Sequence, residues 1–85
     1  MNLIFEATVN DTPIEAKMAF IEGEDPHYAC SPLGSHYEQV PFINFTFKSM
    51  AEFWRKAPWH SSISKTDKTA IKSLMANYPL NKIVG

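Results

Sequence analysis

The sequence predicts an α+β domain: an antiparallel sheet of three to five strands, built from an N-terminal β-hairpin plus a meander, covered on one face by two C-terminal helices. Three observations carry this prediction. Apolar residues alternate with polar ones over 3–9 and 14–21, the period of half-buried strands. From Ser49 onward the period becomes helical, with two capping signals fifteen residues apart, at 49–52 and 64–67. No repeat, low-complexity tract or linker interrupts the 85 residues, so 1–85 is read as one domain.

In LIFEATV, Leu3, Phe5, Ala7 and Val9 share one face, and in IEAKMAFI the same holds for Ile14, Ala16, Met18 and Phe20. NDTP between them is turn chemistry. A register joining Val9 to Ile14 would set Phe5 against Met18, Leu3 against Phe20 and Glu6 against Lys17, an opposite-charge pair. The acidic EGEDP closes the hairpin, and SPLG, a good type I turn, joins short strands expected near 27–30 and 37–40. FINFTFK alternates again through Ile43, Phe45 and Phe47 and reads as the last strand. Ser49 and Glu52 open a helix whose inner face is Met50, Phe53, Trp54 and Ala57, limited to about two turns by Pro58. Ser64 opens a longer helix with Ala70, Ile71, Leu74, Met75 and Tyr78 inside, ending at Asn77 and Pro79. The tail LNKIVG either lies back on the sheet or is loose.

Composition narrows the function classes. Hydrophobic residues at 45% and charged residues at 20% are values of a folded domain. No apolar run approaches the roughly 20 residues of a membrane span, and the start lacks the pattern of a signal peptide, so no membrane contact and a cytoplasmic location are expected. The single cysteine, Cys30, fits a reducing compartment. Charge is divided unevenly. Residues 1–43 set Lys17 against seven carboxylates, a net −6, whereas residues 44–85 set seven cations against Glu52 and Asp67, a net +5. Such asymmetry is a hint of nucleic-acid or membrane contact, or of a molecule that pairs its own two poles.

The candidate binding residues lie in the basic half: Lys48, Arg55, Lys56, Trp59, His60, Lys65, Lys68, Lys72 and Lys82. Lys65, Lys68 and Lys72 fall at i, i+3 and i+7, a stripe about 60° wide along one helix flank. Trp59, following a helix-breaking proline, reads either as a lid over the core or as a surface ring for an unpaired base. Phe53 and Trp54 read as core. His27, Cys30 and His36 have only one arm of a metal motif, and Cys30 reads as a small buried hydrophobe, so no metal, cofactor or catalytic residue is assigned. Glu22, Glu24 and Asp25 read as a solvated turn, and Gly23, Gly34 and Gly85 stand too far apart for a phosphate loop.

The expectation is a small non-enzymatic binding or inhibitor protein whose basic helical half engages nucleic acid, RNA before DNA, or a nucleoprotein complex. The alternative is a protein-only module, with homo-oligomers forming head to tail between acidic and basic surfaces. Stand-alone accessory proteins of viruses and plasmids are commonly of this kind.

Overall fold

The computed structural model describes residues 2–34 and 43–78. Alternation does its work at the start of the chain. Strands β1 (Asn2–Val9) and β2 (Thr12–Ile21) form a hairpin in which Phe5, Ala7, Val9, Ile14, Ala16 and Met18 are all buried. β3 (His27–Pro32) and β4 (Phe45–Phe47) continue it in chain order, β1-β2-β3-β4, every pair antiparallel. Tyr28, Cys30 and Phe47 extend the same buried face.

The hairpin register differs from the expected one by two residues. Val9 pairs with Thr12, Phe5 with Ala16 and Leu3 with Met18. The cause is the turn: only Asn10 and Asp11 lie outside the pairing, at φ of 52° and 65°, and both positive values are those a two-residue type I′ turn demands. A shift of two keeps every side chain on its predicted face. Cross-strand partners change, however, so Glu6 meets Glu15 instead of Lys17, and Lys17 meets Ile4. Pro13 is tolerated inside β2 because pairing with β3 begins only at Ala16.

Two further boundaries move. β3 runs through Ser31 and Pro32, which pair with Lys17 and Ala16, so the chain turns later than the SPLG pattern suggests. β4 is three residues long, and Ile43 is buried ahead of it. The strand expected near 37–40, His36 and the tail lie outside the described residues.

Helix α1 (Met50–Lys56) starts at Ser49, whose Oγ accepts the Glu52 N–H at 3.1 Å. Glu52 Oε1 reciprocates one residue early, on the Lys48 N–H. A 3₁₀ turn (His60–Ser62) then leads to α2 (Lys65–Asn77), capped by Ser64 Oγ on the Asp67 N–H at 3.1 Å. Phe53, Ala57, Trp59, Ile63, Ile71 and Leu74 turn inward and close one core against the sheet. Tyr28 joins the layers from below, donating its hydroxyl toward the Tyr78 and Met75 carbonyls that α2 leaves unpaired at its end. The molecule is an α+β fold with both helices on the sheet.

Candidate basic surface

The cations of the later half do not act as one patch. Lys48 leaves the end of β4 and reaches back to the turn between β2 and β3, where its Nζ lies 2.5 Å from Asp25 Oδ1. That contact, through its hydrogen bond and its charge, holds the Asp25 carboxyl below its ordinary range. Arg55 and Lys56 both reach Glu52, at 3.7 and 3.4 Å, and Lys56 Nζ also donates to the Thr46 carbonyl at 2.7 Å. Part of the basic half is thus offset: Lys48 by a carboxylate of the acidic half, and Arg55 and Lys56 together by the single charge of Glu52, which leaves that trio at a net +1.

The α2 lysines stand apart from this. Among the described residues no carboxylate lies within ion-pair distance of Lys65, Lys68 or Lys72. Lys65 and Lys72 are exposed and Lys68 is half-buried. Since Ile71 and Leu74 fix which side of α2 faces the sheet, the three ammonium groups run along its flank over about 10 Å of helix. Asp67, the acidic residue nearest to them in sequence, turns the other way: its Oδ2 accepts the Glu6 N–H of β1 at 3.3 Å.

Of the two readings of Trp59, the structure takes the lid over the core, so its place among the binding residues is corrected. It is 6% exposed and its ring lies 6.0 Å from Phe5, 6.2 Å from Phe45 and 6.0 Å from Phe53. The turn after Pro58 rotates the indole inward, where it fills the gap between sheet and α1. Stacking on a base is therefore not available to it. His60 is half-buried beside Trp54 and donates from Nδ1 to the Ala57 carbonyl at 2.8 Å. Lys82 lies outside the described residues.

The early-half candidates separate as well. Tyr28 and Cys30 point into the core, so the neighbouring His27 points to the opposite face of the sheet and cannot share an ion with Cys30. Burial pushes the Cys30 thiol up to about 12, far from a reactive thiolate. No cluster of three His, Cys, Asp or Glu side chains suited to an ion forms among the described residues. No helix described is long and apolar enough to cross a membrane.

Two features escaped the sequence. One is an open depression of about 400 Å³ between the Asn10–Asp11 turn and Pro58, Trp59 and Ser61; its only local signal is the adjacent Asn10 and Asp11, residue types that accept left-handed backbone. The other is the guarding of β1's free edge, where Ser62 Oγ accepts the Thr8 N–H at 2.8 Å beside the Asp67–Glu6 contact. These bonds span 54 and 61 residues, and no local pattern announces them. Comparison with family models, with curated proteins and with solved structures finds no match to this chain.

Proposed function

We propose that the protein is a non-enzymatic, cytoplasmic binding domain that engages nucleic acid through phosphate contacts made by α2. The observation that carries this is the lysine flank of Lys65, Lys68 and Lys72, its two ends exposed and its middle half-buried, which has no carboxylate partner among the described residues while the other described lysines and arginine of that half each contact one. Holding three like charges at helical spacing is unfavourable in the free molecule, and phosphates relieve it. With Trp59 in the core the reading rests on phosphates rather than bases, so binding is sequence-independent and RNA loses its earlier advantage over DNA.

Three contacts give a salt dependence that can be measured. The logarithm of affinity should fall against the logarithm of salt with a slope of about −2 on single strands and nearer −3 on duplex. Replacing all three lysines by glutamine should flatten that slope without altering the far-ultraviolet spectrum. Titrations with single-stranded and duplex RNA and DNA check it, and no binding of any of them at low salt ends the proposal. Pairing of Lys48, Arg55 and Lys56 with carboxylates favours a direct protein partner as the second reading; capture that survives nuclease treatment and ignores the glutamine variant would support it.

A further inference from the structure

We propose that the N-terminal half of β1, Asn2 to Ile4, pairs antiparallel with the same segment of a second copy. β1 is an edge strand, and its even-numbered residues direct their N–H groups away from β2, as the contacts at Glu6 and Thr8 demonstrate. Those two N–H groups are closed by Asp67 and Ser62. Nothing described closes Asn2 and Ile4. Ile4 is also the most exposed large apolar side chain described, at 53%.

Natural edge strands are usually blunted by charge, proline or a bulge. From Asn2 to Phe5 there is no charged residue and no proline, and the pairing with β2 is unbroken. The guards also fix the register. Ile4 against Ile4 would set Asn2 against Glu6 of the second copy, whose N–H is already given to Asp67. Ile4 against Asn2, with Leu3 against Leu3 on the two-fold axis, uses only groups that no described residue closes and forms four backbone hydrogen bonds. One uncharged segment satisfies itself, which is the condition for an isologous contact and the reason a second copy is the occupant. The surface involved is far below the roughly 800 Å² per partner of a stable complex, so the association is weak and concentration-dependent. It rests on β1 and is independent of the α2 lysines.

Sedimentation of the full chain from micromolar to near-millimolar concentration, with amide exchange followed residue by residue, tests this. The mass should rise from 9.7 kDa toward twice that value, and exchange at Asn2 and Ile4 should slow severalfold as it does. Ile4→Pro removes an N–H that β2 does not use, so it should leave the monomer's melting intact and abolish the dimer. Ile4→Lys keeps the N–H, adds like charge beside the axis and should weaken pairing at least tenfold; it decides the matter should the proline variant fail to fold. A monomer at every concentration, amides protected equally at all concentrations, or association indifferent to both substitutions overturns the proposal.

Discussion

Cys30 lies fully buried on β3, and the cost of placing a thiolate there has a direct consequence for alkaline stability. The folded thiol is held at about 12, against an ordinary value of 9.0. Below that ordinary value both folded and unfolded chains keep the proton, and Cys30's contribution is intact. Above it the unfolded chain loses the proton first, so stability falls as pH rises toward the folded value, at about 1.4 kcal/mol per unit. Tyr28, raised by burial and by the neighbouring Tyr78, works in the same direction. Urea unfolding midpoints should therefore drop between about pH 9 and 12, and Cys30→Ala should reduce that dependence even though it costs stability at neutral pH. Alkylation at neutral pH should require unfolding.

Among the elements, the β1–β2 hairpin shows what alternation can and cannot convey. Its period of two fixed the faces of Phe5, Ala7, Ile14 and Met18, because a side chain's face depends only on its own strand. Register depends on the length of the turn, and NDTP is turn chemistry throughout, so its composition does not single out Asn10 and Asp11 as the two residues that adopt left-handed backbone. Since glycine meets no steric penalty at that angle, Asp11→Gly should raise stability by up to about 1 kcal/mol, whereas Asp11→Val should lower it. Thermal melting of the two variants checks this. The helices were legible to within a residue because their signals are local: Ser49 with Glu52, Ser64 with Asp67, and apolar spacing between. The 3₁₀ turn at His60–Ser62 carries no such signal, and with it went the orientation of Trp59.

Across the whole molecule, the division of charge between halves was visible in the sequence, but its outcome was not. Asp25 meets Lys48 across 23 residues because β3 and β4 pair, a consequence of topology alone. Trp59 holds a comparable position in the core, touching rings from β1, β4 and α1 at once. Trp59→Ala should cost about 3–5 kcal/mol. For a chain of this size, with about 4–13 kcal/mol in total at the usual per-residue value, that is a large share. Denaturant titration of the variant should show an early midpoint or no folded baseline. One arrangement reaches beyond the finished fold: Ser62 and Asp67, which seal the first strand, are made 54 and 61 residues after the groups they close. On the ribosome the nascent hairpin therefore emerges with a bare flank, and until Ser62 and Asp67 clear the exit tunnel its safekeeping falls to chaperones or to speed of synthesis.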